Sequence, residues 1–504
     1  MTKILGIAGS LRNVRHGRGT KKLLSELASV DSEARLKALL DEQTRLIVED
    51  FLAAGRAENK PFDEIYKALR SMSGERGLSN SEAALAAALW GALNEGAEID
   101  YLSLANHFPP SGAVNDAEGM KAKLRAADGI IISTPVYFGD RGSLVQSLLD
   151  FIAADPFLRA DMVGKIYGGI AVGAKRNGGQ ETTLIYQMLD MVNLGLLCVG
   201  NSSESTAQYG GTAVGGDVGT VQKDAYGLET TIGTGRRVAR VAKLGALGAG
   251  GQKLKDKFKL DLWLLQRDDG GKGLAFFRDW ADRFMQRHPD VTVRLWDVAD
   301  YEVVRCIACD VCPTSVAPQE EYRCIITKGD DFFVQHHAEL IQADAILACA
   351  YSPEDRTKVL SEYQQFIERT RYLRRDNYAF SDLVVAPFVV SELDARQNLH
   401  LRMLTSLVRH HTILHHPLVG MISDGKLLNA AKLEANADRF IDSARQMLVG
   451  RYLEGGRSDI LYNPVGYEIS AAKTGDDARA GRIEAAVRDS HRNLNEAREK
   501  RLAR

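Results

Sequence analysis

Asp128-Gly129-Ile130-Ile131-Ile132-Ser133-Thr134-Pro135-Val136-Tyr137-Phe138-Gly139 is an apolar strand that runs into a proline- and aromatic-bearing loop. Further strand segments lie on both sides of it: Ile4 to Ala8, Glu98 to Leu104, Ile166 to Val172 and Leu196 to Val199. Helix-patterned segments, among them Ala83 to Asn94 and Ser143 to Ala153, separate these runs. Strands that alternate with helices predict an α/β fold with a parallel, doubly wound sheet. In such a sheet the ligand sits beyond the carboxyl ends of the strands. The loops after the first, third and fourth strands are the glycine-, serine- and aromatic-rich ones.

The first strand ends in Gly9-Ser10-Leu11-Arg12, a common opening for a phosphate-binding loop. A basic, glycine-containing stretch follows, then two polar pieces of helical pattern, Ser32 to Ala54 and Phe62 to Met72. Ser79 and Glu82 form a capping-box pattern, which predicts a helix start there. Residues 13–76 therefore read as a mostly helical insertion in the first loop. That loop would be begun by Ser10 and Arg12 and completed by Ser79, Asn80 and Ser81. The alternative is that Ser79 only caps a surface helix and Thr20 closes the loop. After the fourth strand comes Gly173-Ala174-Lys175-Arg176-Asn177-Gly178-Gly179-Gln180-Glu181-Thr182-Thr183-Leu184. Lys175-Arg176 is either a contact for the phosphate of a nicotinamide cofactor or a solvated loop.

Gly-Ser-Leu-Arg, Thr-Pro-Val-Tyr-Phe-Gly and Gly-Gly-Gln-Glu-Thr-Thr-Leu occur in this order between Gly9 and Leu184. Together they resemble the FMN-binding loops of flavodoxin-like NAD(P)H-dependent oxidoreductases, most closely the iron–sulfur flavoprotein branch. The segment from Tyr209-Gly210-Gly211 to Asp224-Ala225-Tyr226-Gly227-Leu228-Glu229 is similar to that branch too. The resemblance implies that Ser10, Arg12, Asn80 and Ser81 hold the FMN phosphate. It also implies that Pro135, Val136, Tyr137, Phe138 and Gly139, with Gly178, Gly179, Gln180, Glu181 and Thr182, surround the isoalloxazine ring. The residue types agree. Amides and hydroxyls at a helix start suit a phosphate dianion, and Tyr137 and Phe138 offer flat apolar surface.

With 504 residues the chain is too long for a single core. An apolar share of 45% and a charged share of 26% describe an ordinary globular protein. A net charge of −2 gives no electrostatic reason to expect nucleic acid or an anionic membrane. No apolar run is long enough for a membrane span, and the N-terminus enters a strand at once, so the cytoplasm is the expected compartment.

Four of the six cysteines fall between residues 306 and 324, as Cys306, Cys309, Cys312 and Cys324. So dense a set in an unexported chain reads as metal ligands. Three cysteines at three-residue steps suit a [4Fe-4S] cluster, and a tetrahedral zinc site competes. In the resembled family the cysteine loop lies between the second and third strands. The corresponding place in the first half, Ala105 to Gly112, has no cysteine. After a glycine-rich stretch, Gly245 to Gly251, the pattern repeats. Ala343-Asp344-Ala345-Ile346-Leu347-Ala348 echoes Ala127-Asp128-Gly129-Ile130-Ile131-Ile132 at an offset of 216 residues. Such self-similarity predicts duplicated domains. The second copy keeps the cysteine loop but has poor flavin loops, Ala350-Tyr351-Ser352-Pro353 and Asp394-Ala395-Arg396-Gln397-Asn398-Leu399.

The expected organisation is a flavodoxin-like domain at 1–244, a linker at 245–256, a degenerate flavodoxin-like domain at 257–425 and a helical extension at 426–504. The expected function is redox: FMN in the first half exchanging electrons with a cluster in the second, fed by NAD(P)H or a ferredoxin-type donor. A small-molecule or protein electron partner and a homo-oligomer are expected. One alternative is a quinone, azo or nitro reductase with zinc or nothing in the cysteine loop. Another is a non-enzymatic scaffold. His410-His411 and His415-His416 read as packing or surface histidines, and Cys198 and Cys349 as small buried hydrophobes. The C-terminal stretch shows an extended piece, Ile460 to Ile469, and a charged helix, Asp476 to Arg501, that would be a subunit arm or a solvated tail.

Overall fold

The computed structural model describes residues 1–12, 15–53, 61, 64, 76–109, 112–202, 207–265, 270–309, 324–327, 329–352, 357–375, 379–393, 399–454, 496 and 499–502. Two compact units, Met1–Lys243 and Leu244–Arg504, make up the chain.

The first unit contains β1 (Lys3–Ala8), α1 (Gly17–Ala28), α2 (Glu33–Ala53), α3 (Asn80–Asn94), β2 (Glu98–Ser103) and α4 (Ala117–Ala126). They are followed by β3 (Gly129–Tyr137), β4 (Asp140–Arg141), α5 (Ser143–Ala154), β5 (Ile166–Gly173), α6 (Gln180–Asn193), β6 (Leu197–Cys198), β7 (Gly211–Val214) and α7 (Ala225–Gly248), whose residues from Leu244 on belong to the second unit. Strands β2, β1, β3 and β5 lie side by side in that order and run parallel. This is the flavodoxin-like order, with the reversal of winding between β1 and β3. The fifth position differs from the single strand expected at 196–199. It is shared by β6, paired with the start of β5, and β7, paired with its end. Asn201 bridges the break: its Nδ2 donates to Gly210 O at 3.0 Å and to Thr230 O at 2.8 Å.

Helix α3 is rich in alanine and buried on every side from Ser81 to Ala92, which requires cover on both faces. The insertion supplies part of that cover. Its helices α1 and α2 bury Leu27, Leu40 and Ile47, and Trp90 Nε1 of α3 donates to Val30 O between them at 2.9 Å. Helix α7 comes so close that a Cβ on Gly235 would sit 1.8 Å from Ala88 O. Arg15, 3% exposed, closes the insertion. Its guanidinium donates to Glu82 Oε1 at 3.2 Å, to Gly19 O at 3.1 Å and to Gly77 O. Tyr101 Oη donates to the same carboxylate oxygen at 2.6 Å, and burial together with that carboxylate pushes the phenol well above its usual range.

The second unit has β8 (Phe258–Leu264), α8 (Lys272–Arg287), β9 (Val291–Asp297), α9 (Phe332–Leu340), β10 (Ala345–Ser352), α10 (Thr357–Arg369) and α11 (Arg371–Arg375). It continues with β11 (Val384–Glu392), α12 (Leu399–Leu407), β12 (Ile413–Leu414), β13 (Leu418–Ser423) and α13 (Ala430–Glu454). The order is β9, β8, β10, β11, again parallel, and β12 and β13 again share the next position, pairing with the start and end of β11. The repeated Ala-Asp motif does the same work in both units. Asp128 accepts from Lys3 N at 2.8 Å while its own N–H reaches Lys3 O, also at 2.8 Å. Asp344 accepts from Lys259 N at 2.8 Å and donates to Lys259 O at 2.9 Å.

Gly245 to Gly248, expected to begin a flexible linker, instead form the last turn of α7. A Cβ on Gly248 would sit 1.8 Å from Gln446 O, so glycine here serves close helix packing rather than flexibility. Leu502 is buried, and Arg501 donates to Asp344 at 2.6 and 2.8 Å and to Asp256, which docks this end on its own unit. Residues 501 and 502 are thus packed rather than solvated; the extended piece at 460–469 and most of the charged helix expected as an arm or a solvated tail lie outside the described residues. Among the described residues no helix is long and apolar enough to cross a membrane.

The histidines pack as expected. His410 Nε2 meets Thr370 Oγ1 at 2.9 Å, His411 Nδ1 meets Ser381 Oγ at 2.7 Å, and His415 lies edge-on to Phe440. Burial, with Arg374 and Arg409 adding to it, pushes His410 down to about 3, and burial pushes His415 down to about 4.

Two outcomes follow from this packing. Arg15→Met should cost about 3–5 kcal/mol, because it leaves the Glu82 carboxylate buried without its cation, and urea unfolding measures the loss. Because both histidine values are lowered, the unfolded chain takes up protons that the folded chain refuses. Their contribution is complete above about pH 6.5 and falls as the pH drops toward 4, by up to about 1.4 kcal/mol per pH unit for each histidine. Asp261, raised to about 6 by burial, acts in the opposite sense. The readout is therefore a difference: between pH 7 and 5 the unfolding midpoint of His410→Gln should fall less than that of the wild type, and parallel profiles would refute the assignment.

Candidate cofactor site

Four loops of the first unit, after β1, β3, β5 and β7, gather at the carboxyl edge of the sheet around the start of α3. Gly9 N donates to Ser133 O at 2.8 Å, and Ser133 Oγ donates to Ser81 O at 2.8 Å, which seats α3 over the ends of β1 and β3. The capping box is present: Ser79 Oγ accepts from Glu82 N and Glu82 Oε2 accepts from Ser79 N. The cap consumes the third amide of the helix, so the amides of Asn80 and Ser81 are the pair left for an anion by helix geometry. Ser10 is buried and its Oγ accepts from Arg12 N at 3.2 Å, folding the loop back on itself. Arg12 is exposed, with its guanidinium 5.9 Å from the ring of Phe51.

Strand β3 extends into the proline- and aromatic-bearing stretch expected as a loop. It continues to Tyr137 and turns into a hairpin with β4, pairing Val136 with Arg141 and Tyr137 with Asp140. The two turn residues, Phe138 at φ 52° and Gly139 at φ 78°, both lie in the left-handed region, as a two-residue hairpin of this hand requires. Glycine accepts that conformation freely. For Phe138 it is strain, and the side chain is fully exposed beside the exposed Tyr137. Thr134 Oγ1 accepts from Gly142 N at 3.0 Å and braces the hairpin, and Arg141 ties it to Asp190 of α6 at 2.5 Å. Gly179, at φ 100°, approaches so closely that a Cβ there would be 2.8 Å from Gly139 Cα. The two loops thus meet backbone to backbone, with the Val136 side chain beside them, and leave room for a flat ring edge to approach both. Together with the uncapped amides of α3, this donor set fits an FMN.

Some predicted residues hold the site rather than face it. Asn80 Nδ2 donates to Asp217 O at 2.7 Å, while its Oδ1 accepts from Thr220 N at 3.0 Å and Val221 N at 3.2 Å, so the side chain fastens the loop after β7. Gln180 is buried: its Oε1 accepts from Gly178 N at 2.8 Å and its Nε2 donates to Lys175 O at 2.8 Å, shaping the loop after β5. Pro135, Val136, Gly139 and Gly179 are half-buried, whereas Gly178, Glu181 and Thr182 are exposed. Arg176 is paired with Asp224, donates to Thr212 O at 3.1 Å and lies 5.0 Å from the ring of Tyr226. It is therefore not a purely solvated loop residue. Arg15, Asn201 and Asp224 were missed as organisers. Asp224 was visible only as part of a similar segment, although its Oδ2 accepts from Val214 N at 2.8 Å.

In the second unit Cys306, Cys309 and Cys324 are half-buried, and Cys312 lies outside the described residues. Among the described residues no three histidine, cysteine, aspartate or glutamate side chains are gathered to hold a metal ion. The fully buried Asp331 fixes both ends of the cysteine loop. Its carboxylate accepts from Val304 N at 2.9 Å before the cysteines and from Phe333 N and Val334 N at 3.1 Å after them. It also pairs with the buried Arg369 of α10 at 3.2 Å. Of the flavin loops expected to be poor here, Pro353 and residues 394–398 lie outside the described residues.

The model of the NADPH-dependent FMN reductase family matches residues 71–206. An iron–sulfur flavoprotein of Methanocaldococcus jannaschii is 37% identical over 164 residues, 30% of this chain and 83% of that protein. An iron–sulfur flavoprotein of Methanosarcina thermophila is 28% identical over 179 residues, 33% of this chain and 89% of that one. An NAD(P)H dehydrogenase (quinone) of Cupriavidus metallidurans is 28% identical over 182 residues, 32% of this chain and 90% of that one.

The hold of Asn80 on its neighbour loop can be measured. In Asn80→Ala, hydrogen exchange at the amides of Thr220 and Val221 should accelerate at least about tenfold, the equivalent of losing roughly 1.4 kcal/mol of protection. Exchange at Gly178, held by Gln180, should not change.

Proposed function

The chain belongs to the NADPH-dependent FMN reductase family, and from that premise we propose an iron–sulfur flavoprotein-like role for it. It is an FMN-dependent oxidoreductase. FMN in the first unit exchanges electrons with a [4Fe-4S] cluster in the second. The observation that carries the flavin half is the close approach of Gly179 to Gly139 beside the uncapped start of α3. Bound there, FMN supplies the redox range that no side chain has. The chain's own residues do the holding. Ser10 and the amides of Asn80 and Ser81 receive the phosphate, the Phe138–Gly139 turn presents backbone and aromatic surface to the ring, and Gln180 keeps the opposing loop in shape.

The cluster half is supported by the donor set Cys306, Cys309, Cys312 and Cys324 on a loop whose ends Asp331 anchors. Thiolates in this number and spacing suit a cluster, and the cluster acts as a one-electron relay. The identical strand order of the two units supports their reading as tandem copies. NAD(P)H or a ferredoxin-type protein is the donor, and the chain works as a homo-oligomer. The second reading, a quinone-, azo- or nitro-type reductase with zinc in the cysteine loop, draws on the similarity to a quinone dehydrogenase.

Cofactor content after purification without oxygen separates these readings. The proposal expects a single FMN with about four irons and four sulfides per chain, and a Cys309→Ser variant that loses the iron and keeps the flavin. FMN with zinc instead of iron establishes the reductase reading. A chain that takes up neither cofactor on reconstitution refutes both.

A further inference from the structure

We propose that Arg176 and Asp224 are positioning residues for the isoalloxazine ring, and that they act by clamping the loop after β5 onto β7. The inference rests on the flavin reading above and names the pair that keeps the ring end of that site in shape. The loop is exposed from Ala174 to Gly178, the kind of segment that ordinarily moves. Yet Gly179 at its end is held so close to the hairpin that a Cβ there would be 2.8 Å from Gly139 Cα. Gln180 and Arg176 both fasten the loop. The buried Gln180 donates from Nε2 to Lys175 O at 2.8 Å and to Ala213 O at 3.3 Å. Arg176 donates from Nη1 to Thr212 O at 3.1 Å and pairs through Nη2 with Asp224. Two successive carbonyls of β7 are thus gripped from the loop that faces the ring.

The clamp has a fixed anchor. Asp224 Oδ2 accepts from Val214 N at 2.8 Å at the end of β7, and Oδ1 accepts from Gly227 N at 3.0 Å in the first turn of α7. A Cβ on Gly227 would sit 2.2 Å from Asp224 Oδ2, so glycine is what lets the carboxylate lie this close to the helix. Backbone amides from two elements therefore hold the carboxylate that Arg176 must reach. Arginine suits the task. Its fork gives one amino group to the carboxylate and the other to a carbonyl, while its plane lies 5.0 Å from the ring of Tyr226. The Arg176 side chain is 38% exposed, and an ion pair this open to water adds little to global stability. Its effect is on order: a ring that enters a loop already in place does not have to arrange that loop on binding.

The test is fluorescence titration of the full-length protein, stripped of flavin, with FMN and with riboflavin, which carries the ring without the phosphate. Arg176→Gln should weaken both flavins by the same factor, about tenfold, the scale of ordering cost that a preformed site avoids. Its urea unfolding midpoint should stay at the wild-type value, which separates positioning from a general loss of structure. Because the two residues act as one clamp, adding Arg176→Gln to Asp224→Asn should cost nothing further. Wild-type affinity in Arg176→Gln, a loss confined to FMN, or losses that multiply in the double variant overturn the proposal. A wild-type chain that binds neither flavin refutes the FMN reading itself, and the proposal with it.

Discussion

The Arg15–Glu82 ion pair sits where everything in the first unit meets. One guanidinium touches the beginning of the insertion at Gly19, its end at Gly77 and the first turn of α3 at Glu82. A buried pair of this kind stabilises less by its own attraction than it would destabilise by losing one partner. Here it also fixes geometry. The carboxylate that receives Arg15 is the one that completes the capping box, so closure of the insertion and placement of the α3 amides are a single arrangement. The chain thus leaves the sheet after β1 and returns at α3 with the two ends of the insertion held by one side chain.

The two units show which features of the scaffold are structural and which are local equipment. The Lys3–Asp128 clamp and its counterpart Lys259–Asp344 tie the same two strands with nearly the same distances. The divided fifth lane recurs as well. What differs is attached to strand ends. The first unit carries a strained aromatic hairpin after β3, whereas the second carries a cysteine loop after β9. Loops on a rigid sheet can change chemistry without changing the sheet.

Much of this was legible beforehand because it rests on local pattern. The strands, the capping box at Ser79 and the repeat at 216 residues depend on residues close together in the chain. What escaped depends on distant pairs. Arg15 looked like one basic residue among several, since nothing nearby reveals that Glu82 and Gly77 will surround it. Asn80 was assigned to a ligand by likeness, but its amide is used by backbone 137 to 141 residues away. Gly245 and Gly248 suggested flexibility, yet a glycine in a helix is equally a place where another backbone comes close. Only the tertiary partner, Gln446, separates those meanings.

Asp331 has a consequence for assembly. Its bonds to Val304, Phe333 and Val334 close the mouth of the cysteine loop with backbone amides and one arginine, using no sulfur. The entropy of bringing the ends of a long segment together is therefore met by the fold itself. The ends of the loop are therefore held by contacts that ask nothing of the thiols, and the sheet of this unit does not wait on their chemistry.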